Sequence, residues 1–154
     1  MKTESQKPIL TEILPIELTN SNDGQGHSWH RGAKFRKQVE RKLAAQGFRR
    51  EPFPWLVRLE ITRVLGRRQS KWDSSSVLRG NWKEIEDALV VLGWFEDDST
   101  KFISHSAGYQ DDTRRADGPC IEVRVFKSCD HQWHEVQCDG AGTCRQCAKC
   151  GHYS

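Results

Sequence analysis

Residues 55–65 have the sequence Trp-Leu-Val-Arg-Leu-Glu-Ile-Thr-Arg-Val-Leu, in which apolar and polar side chains alternate over most of the stretch. Successive side chains of a β-strand point to opposite faces of the sheet, so this alternation predicts a strand with one buried face. Pro52 and Pro54 precede the stretch and separate it from the residues before it, because proline cannot donate a hydrogen bond to a sheet. The predicted fold is built around this strand.

A helix is predicted on the N-terminal side of this strand. From Ala33 onwards, Phe35, Val39 and Leu43 recur on one helical stripe, and Gly47 ends the pattern. The other faces of the helix are basic and carry Lys34, Arg36, Lys37, Arg41 and Lys42. Such a face is typical of a solvated surface helix, and also of a surface that contacts an anionic partner.

A second helix is predicted after the central strand. Asn81 stands at the position of an N-cap, Glu84 follows at the spacing of a capping box, and Gly93 ends the helix. Its apolar stripe consists of Trp82, Ile85, Leu89 and Leu92.

Further strands are predicted over residues 13–18, 101–106 and 120–126. Together with the central strand and the two helices they give the order β-α-β-α-β-β. The expected fold class is therefore α+β, with a small mixed sheet and two helices in a core domain of residues 1–127. Residues 128–154 are expected to form a separate module.

The C-terminal module is rich in metal-ligating residues, since five of the six cysteines lie in the last 26 residues. The segment has few apolar residues, and ligation of a metal by thiolate and imidazole can supply the missing folding energy. The preferred zinc ligands are Cys129, His131, Cys147 and Cys150, which require a hairpin between the two pairs. The resulting module would be a zinc knuckle of the zinc-ribbon or short treble-clef type.

Other assignments of this module stay open. The pair formed by Cys144 and Cys147 has the same spacing, and His134 or Cys138 are further candidate ligands. A redox Cys-x-x-Cys motif, or a tail of thiols without a ligand, is the alternative to a metal site.

Location and charge narrow the class of protein. The 154 residues contain no apolar run near the ~18 residues of a membrane helix, and the first residues lack the layout of a signal peptide. A cytoplasmic protein that does not bind membranes is therefore expected, with reduced cysteines.

Residues 28–72 carry thirteen basic and three acidic residues, a net charge of +10, whereas residues 73–100 carry two basic and seven acidic residues, a net charge of −5. A polyanion bound beside a metal site would explain this pattern, and so would two solvated faces.

The acidic segment contains candidate ligands for a hard cation. Carboxylates that converge from different elements suit Mg²⁺, which can activate water for phosphodiester hydrolysis. Taken singly, these residues have ordinary explanations: Lys83 and Asp87 have the spacing of a surface ion pair on a helix, and residues 96–98 suit a solvated turn.

The order of these motifs resembles the RusA family of Holliday-junction resolvases, over about residues 10–127. In that family an Arg-rich loop follows a strand, and a helix then carries a lysine and an Asp-Ala-Leu before a glycine, an aromatic pair and Asp-Asp. Here the loop contains Arg67-Arg68-x-x-Lys71-x-Asp73, and Lys83, Asp87-Ala88-Leu89 and Gly93-Trp94-Phe95-x-Asp97-Asp98 follow. One motif departs from the family, in which Asp-x-Asp-Asn opens the helix. Here Ser74-Ser75-Ser76 follows Asp73, so the second aspartate of that motif is missing.

The resemblance implies a Mg²⁺-dependent endonuclease that cuts branched DNA as a homodimer, in recombination and repair. It implies metal binding by Asp73 and Asp98, catalytic support from Lys83, and second choices in Asp97 and Asp87. The residues expected to contact DNA phosphates are Lys34, Arg36, Lys37, Arg41, Arg67, Arg68 and Lys71. The missing acid leaves three alternatives open: a carboxylate such as Asp87 or Glu84 replaces it, fewer protein ligands hold the ion, or catalysis is lost and a zinc-containing nucleic-acid-binding protein remains. A separate alternative is a small zinc-containing regulator that binds protein, in which the charge pattern is incidental.

Overall fold

The computed structural model describes residues 7–20, 29–128, 133–138 and 142–147. Residues up to 127 contain four strands, β1 (Leu10–Leu14), β2 (Val57–Val64), β3 (Ile103–Asp111) and β4 (Cys120–Lys127). Two α-helices, α1 (Trp29–Ala45) and α2 (Trp82–Val91), complete them, with a short 3₁₀ helix at Val77–Arg79. The fold class is α+β, and the predicted order of elements is confirmed.

The four strands form one mixed sheet in the order β1-β4-β2-β3. β4 pairs antiparallel with both β1 and β2, while β2 and β3 run parallel. A parallel pair requires a crossover connection, and α2 lies in the crossover from β2 to β3. The ends of β2 and β3 therefore meet at the same edge of the sheet, where residues 66–76 follow one strand and residues 112–118 follow the other.

The core lies between the two helices and one face of the sheet. Every residue of β2 from 61 to 64 is buried, whereas the predicted alternation is observed over residues 57–61, where Val57, Leu59 and Ile61 are fully buried. They belong to the same apolar cluster as Leu43 of α1 and Leu89 of α2. Burying these side chains is the main stabilising contribution to the fold.

Three predicted boundaries differ from those of the structure. β1 ends at Leu14, earlier than the predicted strand over residues 13–18, because Pro15 lacks the N–H that would continue the ladder. α1 begins at Trp29 rather than at Ala33. β3 extends to Asp111, beyond the predicted residues 101–106, because it pairs along the whole length of β2.

The N-terminus of α2 is joined to the segment after β1. Asn81 precedes the helix as predicted, but its side chain does not cap it. The Asn81 Oδ1 instead accepts a hydrogen bond from the backbone N–H of Thr19, at 2.9 Å. This contact fixes the start of α2 relative to the chain that follows β1.

The C-terminal part contains an antiparallel pair of strands, β5 (Trp133–Cys138) and β6 (Gly142–Cys147). In its register Cys144 is opposite Val136, and Cys147, the last residue of β6, is opposite Trp133. The predicted ligands Cys129, His131 and Cys150 lie outside the described residues. No described helix is long and apolar enough to cross a membrane.

Candidate functional site

Lys83, in the first turn of α2, lies at the centre of a cluster of carboxylates from α2 and from the turn that follows it. Its Nζ is 2.9 Å from Asp87 Oδ1 and 3.8 Å from Glu86 Oε2, and it also donates a hydrogen bond to Asp98 Oδ2. We call Lys83, Glu86, Asp87 and Asp98 the Lys83 cluster. The structure thus brings together three of the five residues that the resemblance assigns to catalysis.

The turn after α2 brings Asp98 back to Lys83. Gly93 ends the helix at a φ of +87°, and a Cβ atom at that position would lie 2.2 Å from the carbonyl oxygen of Arg50, so only glycine fits. Trp94 and Phe95 then bury their rings, and the indole N–H of Trp94 donates to the carbonyl of Phe48 at 2.7 Å. These anchors leave residues 96–98 exposed beside the start of the helix.

Asp97 contacts the backbone next to the cluster. Its Oδ1 accepts a hydrogen bond from the backbone N–H of Asp98, at 2.7 Å. The contact constrains the turn from which the Asp98 side chain reaches Lys83. In this structure Asp97 therefore orients its neighbour.

Glu86 belongs to the cluster although the sequence analysis did not select it. Burial raises the pKa of its carboxyl group, and the nearby Lys83 partly opposes that rise. Its position three residues after Lys83 on a helix was the available signal. Asp87, one residue further on, was selected by the resemblance instead.

Asp73 lies outside the Lys83 cluster. It is exposed in the loop after β2, and its backbone carbonyl accepts a hydrogen bond from the N–H of Ser76 at 2.9 Å, which leads into the 3₁₀ helix. Within the described residues, no hydrogen bond or ion pair joins its carboxylate to Lys83 or Asp98.

The donor atoms of the Lys83 cluster suit a cation held by few protein ligands. Among the described residues, no group of three or more His, Cys, Asp or Glu side chains is arranged to hold a metal ion. Asp87 and Asp98 nevertheless converge on one positive charge, the ammonium of Lys83. Mg²⁺ is commonly bound by one or two carboxylates together with waters and substrate phosphates, so this pair fits it.

The predicted DNA-contacting residues lie on two elements. In the loop after β2, Arg67 and Arg68 are exposed, and Lys71 Nζ is 3.1 Å from Asp112 Oδ1. On α1, the Nε of Arg36 is 3.3 Å from Glu40 Oε1. The remaining predicted residues of α1, all exposed, are Lys34, Lys37 and Arg41.

A set of supporting residues around the loop after β2 was missed by the sequence analysis. Gln110 and Arg115 hydrogen-bond to the main chain of that loop, and the guanidinium of Arg63 lies over the ring of Trp72. The available signal for Arg63 was the alternation of the strand, because position 63 continues the apolar series of Val57, Leu59 and Ile61. Gln110 and Arg115 gave none, because their partners are far away in sequence.

No protein-family model and no curated protein matches the chain. A function can therefore be assigned only from its residues and their contacts. Two features of the described residues carry the argument. One is the Lys83 cluster, and the other is the group of exposed arginines after β2.

Proposed function

We propose that this protein is a Mg²⁺-dependent, structure-selective endodeoxyribonuclease that cuts branched DNA such as Holliday junctions, in recombination and repair. The observation that carries the proposal is the meeting of Lys83, Asp87 and Asp98 at one point of the surface. Those residues occupy the positions that the resemblance to the RusA family assigns to catalysis. The proposal includes a cytoplasmic location and a homodimer, since two-fold symmetry suits a four-way junction.

Asp98 and Asp87 are the proposed Mg²⁺ ligands, with Asp73 as a further acid from the loop. Mg²⁺, when bound, supplies a more acidic water and stabilises charge on the phosphate. The two carboxylates repel each other unless a cation lies between them, and in this structure the Lys83 ammonium contacts both and offsets one of the two negative charges. Beside a scissile phosphate, the Lys83 ammonium can donate hydrogen bonds to the oxygens on which negative charge increases.

Binding of DNA is assigned to the basic residues of α1 and of the loop after β2. Arg67 and Arg68 are exposed and have no acidic partner within 4 Å among the described residues, so both are available to phosphates. Contacts to phosphates position a duplex without reading its sequence, as selection of a branched shape requires.

A second candidate function is a zinc-containing nucleic-acid-binding protein without catalysis. It is favoured by the contacts of Lys83, whose ammonium already occupies the point where Asp87 and Asp98 meet, and by the separation of Asp73 from that cluster. In this case the arginines of the loop would bind DNA and no phosphodiester bond would be cut.

Cleavage of a synthetic four-way DNA junction separates the two candidates. We expect the protein to bind the junction in EDTA and to cut it when Mg²⁺ or Mn²⁺ is added. Asp98→Asn should bind but not cut, because the amide keeps the shape of the side chain and removes its charge. Binding without cleavage in either metal would favour the second candidate.

Zinc is proposed for the C-terminal module, with Cys129, His131, Cys147 and Cys150 as ligands. The purified protein should contain about one zinc per chain. Either Cys147→Ser or Cys150→Ser should lower that content and make the module sensitive to protease, whereas full zinc occupancy in both variants would show that another pair binds the metal.

A further inference from the structure

The main chain of the loop after β2 is held by a side chain from the neighbouring strand. We call residues 66–76 the arginine loop. The Gln110 Nε2 donates to the carbonyl oxygen of Trp72 at 2.9 Å, and the Gln110 Oε1 accepts from the backbone N–H of Trp72 at 2.8 Å. One amide thus satisfies both polar backbone groups of Trp72.

Arg63 supports the same part of the loop from below. Its side chain is only 4% exposed, and its guanidinium carbon is 3.6 Å from the centroid of the Trp72 indole ring. Its Nη1 donates to the carbonyl of Ser70 at 3.0 Å and to Gln110 Oε1 at 3.1 Å. Burial lowers the pKa of this guanidinium, Glu17 raises it, and the neighbouring Arg115 lowers it further.

Arg115 and Gln69 fix the beginning of the loop. The Arg115 Nη1 donates to the carbonyl oxygens of Gly66 and Gln69, at 2.8 and 2.6 Å. The Gln69 Oε1 accepts from the N–H of Gly66 at 2.8 Å, and its Nε2 donates to Glu17. Backbone groups are therefore bonded on both sides of Arg67 and Arg68.

Positive charge exceeds negative charge in the arginine loop, which carries Arg67, Arg68 and Lys71 against Asp73. Within the described residues, none of the four arginines at positions 63, 67, 68 and 115 has a carboxylate within 4 Å. The hydrogen bonds and the ring contact of Arg63 and Arg115 go to carbonyl oxygens, an amide oxygen and an aromatic ring, while Glu17 and Asp112 interact with these two arginines at more than 4 Å. Such a site attracts an anion, and repeated exposed arginines suit a phosphate backbone.

We propose that the arginine loop is a preorganised phosphate-binding loop, in which Arg67 and Arg68 contact DNA phosphates while Gln110 and Arg115 act as positioning residues. The inference rests on the proposed binding of DNA and names the part of the chain that determines it. A loop that is ordered before binding does not have to lose its conformational entropy when DNA binds. The positioning residues therefore affect affinity without contacting the DNA.

Limited trypsin digestion of the full-length protein tests the positioning role without any DNA. A loop whose main chain is held by hydrogen bonds has to open before a protease can bind it in an extended form, so we expect slow cleavage after Arg67 and Arg68 in the wild type. Gln110→Ala removes the two hydrogen bonds to the main chain of Trp72. We expect cleavage at these sites to become at least about tenfold faster than in the wild type, from the usual contribution of two such bonds. Gln46→Ala is the matched control, because Gln46 is exposed beyond the end of α1.

Affinity for a synthetic four-way junction, measured over a range of salt concentrations, tests the second part. Gln110→Ala should weaken binding severalfold with an unchanged salt dependence, because no charge is lost. Arg67→Gln with Arg68→Gln should instead reduce the slope of log K against log salt by about two, as expected for two lost phosphate contacts. Gln69→Ala provides a milder version of the first effect should Gln110→Ala lose the native far-UV spectrum.

The outcomes separate this inference from the proposed function. Digestion of Gln110→Ala and Gln69→Ala at the rate of the control would overturn the positioning role, whatever the DNA result. An opened loop with wild-type affinity would overturn the link between preorganisation and binding. If the wild-type protein binds no junction but the variants show the expected digestion pattern, the proposed function is contradicted. The positioning of the arginine loop by Gln110 would still be supported.

Discussion

The Lys83 cluster and the arginine loop have opposite charge balances. In the cluster, one ammonium lies within 4 Å of three carboxylates. In the loop, Arg63 and Arg115 are bound by uncharged oxygens, and Arg67 and Arg68 are exposed. The first arrangement has an excess of negative charge and suits an added cation, while the second has an excess of positive charge and suits an added anion. The proposed Mg²⁺ ion and the proposed DNA phosphates would be complementary to these two regions.

The largest expected effect concerns Asp73, which lies in the arginine loop but is assigned to the chemistry of the Lys83 cluster. If Asp73 supplies a metal ligand when DNA is bound, Asp73→Asn should lower cleavage of a four-way junction by orders of magnitude and leave binding intact. The measurement is the cleavage rate at saturating protein, beside the affinity in EDTA.

Ser75→Ala is the matched control for Asp73→Asn, because both residues are exposed in the same loop. It should change the cleavage rate little. Normal cleavage by Asp73→Asn would exclude Asp73 from the proposed metal site. The proposed ligands would then come from the Lys83 cluster.

The contrast between the two regions also shows what a sequence can predict. The alternation of residues 57–61 and the stripe of α2 identified elements that local patterns determine. Lys83 and Asp87 are one helical turn apart, so their pairing follows from sequence spacing. The clamp on Trp72 could not be predicted in this way, because Gln110 is 38 residues away and reaches the loop only through the parallel pairing of β2 with β3.

Neutralising the arginine loop should have the next largest effect. Replacing Arg67, Arg68 and Lys71 together by glutamine should flatten the log–log salt dependence of junction binding by about three, if each contacts a phosphate. Lys71 already pairs with Asp112, so the two arginines should account for most of the change. A slope equal to that of the wild type would place the DNA surface elsewhere, and the basic face of α1 would be the next region to neutralise.

The smallest expected effect is on stability at low pH, and it differs in sign between the two regions. Beside the arginine loop, hydrogen bonds from Thr113 and Arg114 lower the pKa of Asp111. A group with a lowered pKa stabilises the fold fully above its unfolded pKa of about 4, and this contribution is lost progressively as the pH falls from that value to the folded pKa. In the Lys83 cluster, burial raises the pKa of Glu86, so protonation of Glu86 favours the fold as the pH falls.

Urea denaturation at pH 7 and pH 3 measures this difference. Asp111→Asn should lose less stability than the wild type between these two values, because its contribution is already absent at pH 7. Glu86→Gln should lose more stability than the wild type between pH 7 and pH 3, because protonation of Glu86 stabilises the wild type as the pH falls and the variant lacks this contribution. Equal losses of stability in the two variants would contradict the opposite pKa shifts of Asp111 and Glu86.

The most direct test of the central claim is a single-turnover cleavage assay on a synthetic four-way junction with Mg²⁺, at protein concentrations that saturate the DNA. The account predicts that the wild type cuts the junction. It also predicts that Asp98→Asn binds it at least as tightly, since a carboxylate facing phosphate is removed, but cuts it more than about a hundredfold more slowly. A fully bound junction that the wild type leaves uncut, or that Asp98→Asn cuts at the wild-type rate, would contradict it.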